Sequence, residues 1–227
     1  MTSVAPDLVG SRPDVADLRP HFLCFEDLVP FLDASGQLDW SKLFGNENPV
    51  ELDVGCGRGL FVFNGSTTQP QRNFLGNELD FTEGRRGAKR LVKRQQPNAR
   101  IIGGDANFLL DRFIRPVSID AVHVYFPDPW WKRKHMRRRL FTDVFANRCA
   151  RVLRPGGLLH MWTDVADYFE AVNALMKHHE QFETLPTPEE RPAENDLDYQ
   201  TSFERTRRHA GLPIHRGQWQ KRFAAGT

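Results

Sequence analysis

The sequence predicts an α/β fold in which helices cover both faces of a mostly parallel sheet. From Pro49 onward, short runs rich in apolar residues alternate with longer helical stretches. Such alternation is typical of βαβ units, whose crossover helices enclose a parallel sheet. The predicted strands cover 50–54, 73–79, 100–103, 119–126 and 158–163, and the predicted helices cover 81–95, 105–115, 138–153 and 165–179.

A change in composition near residue 49 predicts two parts of unequal size. Residues 1–48 hold scattered prolines and one short amphipathic piece, which predicts an N-terminal arm packed on a main domain of 49–227. Three prolines and six acidic residues in 183–199 predict a linker or an exposed loop. Residues 154–157, Arg-Pro-Gly-Gly, predict a turn, and the tail from residue 200 is rich in arginine and histidine.

Length and composition restrict the class of protein. The 227 residues, of which 40% are hydrophobic, suffice for one domain with a sizeable core. The chain has no apolar run of about 18 residues that would predict a membrane span, and its first residues do not resemble a secretory leader. Its three cysteines lie far apart and form neither a metal-binding pair nor a disulfide framework. We therefore expect a cytoplasmic protein without membrane span or metal, with a monomer as the favoured oligomeric state.

Positive charge is concentrated in two places, although the net charge is only +2. One cluster lies between residues 132 and 139 and contains no acidic residue. The other lies on the predicted helix 81–95, where residues spaced by four share one face. Like charges in such stripes repel one another, and a polyanionic partner such as a nucleic acid offsets the repulsion. Two solvated faces are the alternative. The basic residues of the helix are Arg85, Arg86, Lys89, Arg90, Lys93 and Arg94.

A glycine turn follows the first predicted strand of the main domain and precedes a helical stretch. Gly55, Gly57 and Gly59 allow the tight backbone turn and the close approach of a ligand that side chains would prevent. Dinucleotide-binding turns have their last glycine one position later, where this chain has Leu60. The spacing therefore favours a mononucleoside cofactor such as S-adenosylmethionine over NAD. A turn that binds no ligand is the alternative.

Acidic residues lie at or near the ends of the first three predicted strands. Glu78 is placed to accept hydrogen bonds from both hydroxyls of a ribose bound at the glycine turn. Asp105 follows the third strand and suits the amino group of an adenine. Asp53 precedes the turn and suits the ammonium group of a methionine moiety. These carboxylates and the turn together predict a site for S-adenosylmethionine.

The segment from Tyr125 to His135 follows the fourth predicted strand and so lies at the carboxyl edge of the sheet, where open α/β folds bind ligands. Pro127 and Pro129 flank Asp128 and restrict the backbone there, which suits a site that needs one geometry. Two tryptophans follow and offer stacking surface, and the basic residues after them offer phosphate contacts. This combination suits a nucleotide of an RNA chain. An ordinary rigid turn is the alternative.

These segments resemble the bacterial tRNA (guanine-N7)-methyltransferases. The Phe-Pro-Asp-Pro-Trp motif at 126–130 with its basic tail is highly specific to that family. The resemblance implies a Rossmann-like class I S-adenosylmethionine-dependent methyltransferase fold, with a mostly parallel seven-stranded sheet and helices on both faces. It also implies the reaction, methylation of N7 of guanosine 46 in the tRNA variable loop. The matching segments are 52–57, 76–78, 104–106, 126–130, 137–140, 163–164 and 201–204, with Lys132, His135 and Tyr168.

The resemblance also implies a role for each matching residue. Asp128 would be the catalytic residue at the reactive end of the cofactor, and the segment 200–227 would contribute substrate contacts. Two positions depart from the family: Asp53 replaces the more usual Glu, and Trp131 stands where a smaller or polar residue is common. The implied cofactor-binding residues are Asp53, Gly55, Gly57, Glu78, Asp105 and Asp128. The implied substrate-binding residues are Lys132, Asp164, Thr201 and Glu204.

The nucleophile determines the chemistry that such a site must provide. N7 of guanine carries a lone pair and no proton, so catalysis needs alignment with the sulfur–methyl bond and no general base. A carboxylate that accepts from N1–H and the 2-amino group would hold the base and stabilise its new positive charge, with Asp164 and Glu204 as candidates. Thr201 and Glu204 also have the spacing of a helix capping box, which is a structural alternative.

Three other functions fit part of the pattern: an RNA-binding Rossmann-like module without catalysis, a methyltransferase acting on another substrate, and an NAD-dependent oxidoreductase. The intact carboxylates argue against the first, the basic clusters and the 126–130 motif against the second, and Leu60 against the third. No metal is expected, because the histidines lack the spacing of metal ligands. Of the eight histidines in the chain, the ones considered for this role are His135, His160, His178 and His179.

Overall fold

The computed structural model describes residues 17–130, 139–190, 192–195 and 198–223. In these residues the strands are β1 (Phe22–Leu23), β2 (Val50–Val54), β3 (Asn73–Glu78), β4 (Ala99–Gly103), β5 (Ile119–Tyr125), β6 (Leu153–Thr163), β7 (Phe182–Thr184) and β8 (His215–Lys221). They form one sheet with the order β1-β4-β3-β2-β5-β6-β8-β7. Strands β1 to β6 are parallel, and β8 lies antiparallel between β6 and β7. The sheet is therefore mostly parallel, as predicted.

Helices pack on both faces of this sheet. Neighbouring residues of one strand alternate between two clusters of buried side chains, since Phe74 and Ile101 belong to one cluster and Leu75 and Ile102 to the other. A sheet that is covered on both faces requires this alternation. The helices are α1 (Trp40–Phe44), α2 (Leu60–Thr68), α3 (Phe81–Lys93), α4 (Ala106–Phe113), α5 (Asp143–Val152), α6 (Ala166–Lys177) and α7 (Ser202–His209), and a 3-10 helix covers Phe25–Phe31. No helix in the described ranges is long and apolar enough to cross a membrane.

The sheet has one strand more than the seven that were expected. The additional strand, β1, pairs in parallel with β4 through Phe22 and Leu23. It belongs to residues 17–48, whose apolar side chains enter the main core, and Leu38 is fully buried there. The sequence did not predict β1 because two residues carry no periodic pattern, and a strand is recognised by alternation over at least four residues.

Two further strands, β7 and β8, also lie outside the predicted set. β8 pairs antiparallel with β6, so the C-terminal tail is part of the sheet that carries the site. Its polar sequence conceals this position, because Trp219 is the one large apolar side chain in it and is fully buried. The acidic, proline-rich segment 183–199 begins inside β7 and, in its other described residues, forms no helix or strand.

The turn predicted at 154–157 lies inside β6. The pairing of β5 with β6 jumps from Ile119 opposite Leu153 to Ala121 opposite Leu158, so residues 154–157 bulge out of the ladder. Gly156 has a φ of 77° there, in the left-handed region that favours glycine. The turn composition therefore marks a bulge within a strand and not the boundary between two elements.

Glycine is required inside α3 because this helix packs directly on the glycine turn. A Cβ at Gly87 would lie 2.9 Å from the backbone carbonyl oxygen of Arg58, and one at Gly84 would lie 2.9 Å from the ring of Phe22. Neither contact can be accommodated without a shift of the neighbouring atoms. The two glycines weaken the helix by propensity, but they allow α3 to pack directly on the turn, with its basic residues on the exposed side of the helix.

Candidate active site

The carboxyl ends of five neighbouring parallel strands form one edge of the sheet, and a carboxylate lies at or just beyond each of them. Asp53 is near the end of β2, and Glu78 is the last residue of β3. Asp105 follows β4, Asp128 follows β5 and Asp164 follows β6. The parallel register joins these strands in the order β4-β3-β2-β5-β6. The structure thus brings five of the predicted site residues to the edge at which open α/β sheets bind ligands.

The glycine turn is held to the end of β3 and has open space beside it. The backbone N–H groups of Gly55 and Cys56 both donate to the carbonyl oxygen of Asn77, each at 2.9 Å. Gly55 has a φ of 74° and Gly57 a φ of 54°, which L side chains rarely adopt. A Cβ at either position would meet no atom within 4 Å. The turn therefore presents bare backbone to a space that a ligand can occupy.

Glu78 is held against the glycine turn by two backbone donors. Its Oε2 accepts from the N–H of Gly57 at 2.7 Å, and its Oε1 accepts from the N–H of Asp80 at 2.8 Å. Each carboxylate oxygen has two lone pairs, so both can still accept a second hydrogen bond. This geometry fits the predicted role, in which the carboxylate receives the two hydroxyls of a ribose.

Asp53 is a buried carboxylate without a counter-charge. Its residue is 3% exposed, and within the described part of the chain its side chain has no hydrogen-bond partner. Burial raises the pKa of Asp53 to about 8, and the negative charge of Glu78 adds to the effect. Ionisation of such a buried carboxylate costs free energy, and a cation with N–H donors stabilises the ionised form. An ammonium group fits this position.

Asp105 begins helix α4 as its N-cap. Its Oδ1 accepts from the backbone N–H of Phe108 at 2.9 Å, which stabilises the first turn of the helix. The Asp105 side chain is otherwise exposed at the edge of the sheet. The cap fixes the orientation of the carboxylate and leaves its second oxygen for the adenine contact that the sequence predicts.

The loop that carries Asp128 is strained on both sides. Phe126 has a φ of 51° and Trp130 a φ of 43°, although neither is a glycine. The N–H of Phe126 donates to the carbonyl of Trp162 at 2.8 Å, and Arg139 Nε donates to the carbonyl of Pro129 at 2.8 Å. Strained backbone of this kind persists where surrounding contacts impose it, and it clusters at functional sites. Asp128 is exposed within this loop.

Helix α7 lies against the same edge and against the 126–130 loop. The rings of Phe203 and Phe126 stack with their centroids 6.0 Å apart. Arg207 Nε forms an ion pair with Asp164 Oδ2 at 2.8 Å. Thr201 is the N-cap of α7. The structure therefore places helix α7 beside both Asp164 and the 126–130 loop, with Thr201 at the N-terminal end of the helix.

Both carboxylate oxygens of Glu204 are engaged inside the protein. Its residue is only 3% exposed, its Oε2 accepts from the N–H of Gln200 at 2.6 Å, and its N–H donates to Thr201 Oγ1 at 3.0 Å. Its Oε1 lies 3.4 Å from Arg208 Nη1 and 3.6 Å from Arg216 Nη2. Thr201 thus caps the helix as the capping alternative expects, but Glu204 accepts from the N–H of Gln200 and not from that of Thr201, so the reciprocal half of a capping box is not formed. The Glu204 carboxylate has an internal structural role in addition, through its ion pairs with the two arginines. A guanine contact by Glu204 remains a prediction.

Lys132, the remaining predicted substrate residue, and Trp131 lie outside the described residues. Sequence reasoning missed a buried polar cluster on the face of the sheet below Asp53. Glu51 Oε1 accepts from Arg72 Nε at 2.5 Å, and Glu51 Oε2 lies 2.8 Å from Nε2 of His123. The signal was present as polar residues spaced by two along buried strands, at 51 and 53 and at 123 and 125.

The remaining members of this cluster are aromatic. Nδ1 of His123 lies 2.9 Å from the Tyr125 hydroxyl, and the ring of His160 stacks on that of His123 at 4.8 Å. Burial lowers the pKa of His160 to about 3. Burial of Glu51 opposes its ionisation, but hydrogen bonds from His123 and Arg72 outweigh this and lower its pKa to about 2. Among the described residues, no group of three or more His, Cys, Asp or Glu side chains is arranged to hold a metal ion.

Comparison with known proteins places the chain in a family. A family model described as a putative methyltransferase matches residues 47–216. A tRNA (guanine-N(7)-)-methyltransferase of Rhodopirellula baltica is 40% identical over 196 residues, which is 84% of this chain and 72% of the relative. The chain belongs to the tRNA (guanine-N7)-methyltransferase family. The resemblance based on the 126–130 motif and the segments around it is thereby confirmed.

Solved structures support the fold at much lower identity. The structure of the 16S rRNA methyltransferase KamB has a TM-score of 0.60 at 17% identity and covers 85% of this chain and 95% of that one. A SAM-dependent methyltransferase from Aquifex aeolicus has a TM-score of 0.54 at 10% identity, with coverage of 78% and 85%. The Rossmann-like fold of the S-adenosylmethionine-dependent methyltransferases is therefore confirmed for this member of the family.

Asp53→Asn should change how stability depends on pH. The pKa of Asp53 rises from an ordinary value of 3.8 to about 8 on folding, so the folded protein retains this proton more tightly than the unfolded chain. The associated stability is complete below about pH 4 and is lost as the pH rises to about 8. Since Asn cannot ionise, the variant should exceed the wild type by ~1–3 kcal/mol at pH 8, roughly 2–10 °C in Tm, with a smaller difference at pH 5.

Urea denaturation of both proteins at pH 5 and pH 8 measures this difference. A free-energy difference between variant and wild type that does not change with pH would show that Asp53 titrates normally and has no unmet charge.

Glu204→Gln should destabilise the protein. Gln200 N–H and Arg208 donate to different oxygens of Glu204, and Arg216 forms an ion pair with it. A Gln side chain has a single accepting oxygen and no charge, so one donor loses its partner and both arginines lose the negative charge beside them. We expect a loss of ~1–3 kcal/mol and normal binding of S-adenosylhomocysteine. Thermal denaturation checks the first expectation, with exposed Glu180→Gln as the control. A variant that melts like the wild type but methylates tRNA poorly would assign Glu204 to the guanine instead.

Proposed function

We propose that this protein transfers the methyl group of S-adenosyl-L-methionine to N7 of guanosine 46 in the variable loop of tRNA. The observation that carries the proposal is the edge of the sheet itself, where the buried, uncompensated Asp53 and the glycine turn meet the strained 126–130 loop. The relative from Rhodopirellula baltica is named a tRNA (guanine-N(7)-)-methyltransferase and supports the base and the atom. Position 46 rests on the family resemblance.

Each residue at the edge would contact a different part of the cofactor. Asp53 holds the ammonium group, Glu78 the ribose hydroxyls and Asp105 the adenine amino group, while Gly55 and Gly57 allow close approach of the backbone. Asp128 lies at the reactive end. When bound, S-adenosylmethionine supplies a methyl group on a positively charged sulfur. The residues of the chain bind and orient it, and their carboxylates are all acceptors for groups that the cofactor presents as donors.

The substrate side needs orientation and charge stabilisation. Because guanine N7 has no proton to lose, no residue has to act as a general base. Asp164 accepts from N1–H and the 2-amino group of the guanine and stabilises the positive charge that the ring acquires. Its ion pair with Arg207 fixes the carboxylate at the edge beside α7. Thr201 begins that helix, and Lys132 is proposed to contact a phosphate.

The basic face of α3 is proposed to bind the phosphate backbone of tRNA. Lys89, Lys93 and Arg94 are exposed, whereas Arg86 is already paired with Glu83. Since α3 packs on the glycine turn, this face begins next to the cofactor site. Phosphate contacts of this kind release bound counterions, so their contribution to affinity falls with salt.

The assay that tests the proposal uses labelled S-adenosylmethionine and an unmodified tRNA transcript, followed by nuclease digestion and identification of the labelled nucleoside. We expect 7-methylguanosine from the wild-type transcript and none from a transcript with adenosine at position 46. Label in both transcripts would place the reaction at another guanosine. Binding of tRNA without any label would favour an RNA-binding module without catalysis.

Asp164→Asn should lower kcat/KM for tRNA by roughly ten- to a thousandfold, about 1.4–4 kcal/mol of transition-state stabilisation. The amide of Asn carries no negative charge to stabilise the methylated guanine. Affinity for S-adenosylhomocysteine should not change, because the proposed cofactor contacts lie on other strands. Steady-state kinetics and calorimetry test the two statements, with exposed Asp167→Asn on α6 as the matched control. Equal kcat/KM in both variants would remove Asp164 from the substrate site.

Replacement of both Lys89 and Lys93 by Ala should flatten the dependence of tRNA affinity on salt. Each lost phosphate contact reduces the slope of log K against log salt by about one. Filter binding between low and physiological salt measures the slope, and Lys177→Ala on α6 is the control for loss of an exposed lysine elsewhere. A double variant with the wild-type slope would place the phosphate track away from α3.

A further inference from the structure

A chain of hydrogen bonds through the buried polar cluster ends beside the glycine turn. Asp53 on β2 is opposite His123 on β5, and Tyr125 lies two residues further along β5. Tyr125 is therefore on the same face as Asp53 and one step nearer to the carboxyl edge. Its ring packs between Phe61, at 5.3 Å, and Trp162, at 4.8 Å, while the residue as a whole keeps partial exposure. Its hydroxyl group is thus held in one place.

The ionised carboxylate of Glu51 determines the role of one nitrogen of His123. Glu51 is paired with Arg72 and ionised, so its oxygens can only accept. His123 Nε2, 2.8 Å from Glu51 Oε2, must therefore be the donor. With no proton on Nδ1, the Tyr125 hydroxyl donates to that nitrogen across 2.9 Å.

In that arrangement the Tyr125 oxygen has lone pairs and no proton for any further partner. It lies near Asp53, whose negative charge, after burial, contributes to raising the Tyr125 pKa. Two acceptors, one charged and one neutral, suit a ligand that has several N–H donors and a positive charge. An ammonium group has three such donors.

We infer that Nδ1 of His123 carries no proton, that Tyr125 is a second ligand of the cofactor's ammonium group beside Asp53, and that Arg72, Glu51 and His123 are positioning residues that keep its oxygen an acceptor. The inference rests on the proposed function, in which Asp53 faces that ammonium. In this chain Asp53 is a short carboxylate, and a neutral oxygen beside it would share the donors of the ligand. Packing alone does not require polar side chains at Glu51 and His123. Orientation of the Tyr125 hydroxyl gives them a function.

Tyr125→Phe tests the direct contact, since it removes the oxygen and keeps the ring. Calorimetry with S-adenosylhomocysteine is compared with calorimetry with 4-(5′-deoxyadenosin-5′-ylthio)butanoic acid, which lacks only the amino group. We expect S-adenosylhomocysteine to bind about ten- to a hundredfold more weakly and the analogue to bind unchanged. Tyr199→Phe is the matched control, because it removes another tyrosine–histidine hydrogen bond, to His209 at 3.1 Å, away from the turn.

Glu51→Gln tests the direction of the hydrogen bonds without changing the size of the side chain. Arg72 can only donate, so the oxygen of the amide must face Arg72 and its NH₂ group must face His123 Nε2. His123 would then carry its proton on Nδ1 and donate to Tyr125, whose own O–H would point at the ammonium. S-adenosylhomocysteine should lose affinity, the analogue should not, and adding Glu51→Gln to Tyr125→Phe should cost nothing further.

Three results would overturn the inference: equal losses for the two ligands in Tyr125→Phe, no loss for either, or additive effects in the double variant. Asp53→Ala separates this failure from that of the proposed function. If Asp53→Ala discriminates between the ligands and Tyr125→Phe does not, the ammonium site stands without Tyr125. If neither variant discriminates, the ammonium lies elsewhere. A wild-type protein that binds neither ligand refutes the cofactor assignment as well. Tm values of all variants verify that each one is folded.

Discussion

The unpaired carboxylate of Asp53 is the constraint on which the site depends. It lies at the end of a central strand, with the like charge of Glu78 beside it and almost no access to water. In the absence of a cation this arrangement opposes ionisation, which is why its pKa rises to about 8. The site is therefore less stable than an uncharged edge would be, and binding of an ammonium group would relieve that deficit. The site lowers the stability of the protein without its ligand, and binding of the ligand restores that stability.

The fold could be predicted from sequence where the elements are local and regular. β2 matches its predicted bounds, and β3 and β5 match theirs within one residue. Turn residues bound all three strands, and apolar residues alternate with polar ones in β2 and in most of β5. The bulge inside β6 could not be distinguished from a turn, since Gly156 serves both. β1 is too short to carry a pattern. β8 is a strand because β6 offers it an edge, and its one large apolar side chain, Trp219, does not show this by itself.

The residues of the candidate site likewise fall into two groups: those that a local sequence pattern predicts and those that only the folded sheet brings together. Asp53 and Glu78 could be predicted because a glycine turn and the strand ends beside it form a local pattern. The contacts of Glu204 with Arg216, and of Glu51 with His123, join residues that are brought together only by the order of strands in the sheet. A motif cannot show such pairings. For this reason neither the internal contacts of Glu204 nor the polar cluster could be predicted from the sequence.

The C-terminal segment packs against the polar side chains of the sheet and also contains two residues that the sequence assigns to the substrate, Thr201 and Glu204. Arg216 on β8 lies over the ring of Trp162, 4.8 Å from its centroid, and approaches Glu204 below α7. Arg207 on the same helix pairs with Asp164. Because methylation at guanine N7 needs no proton to be removed, these ionisable groups serve geometry and charge instead of acid–base chemistry. Substrate orientation therefore depends on the packing of this segment, because a shift of α7 would also move Arg207, the partner of Asp164.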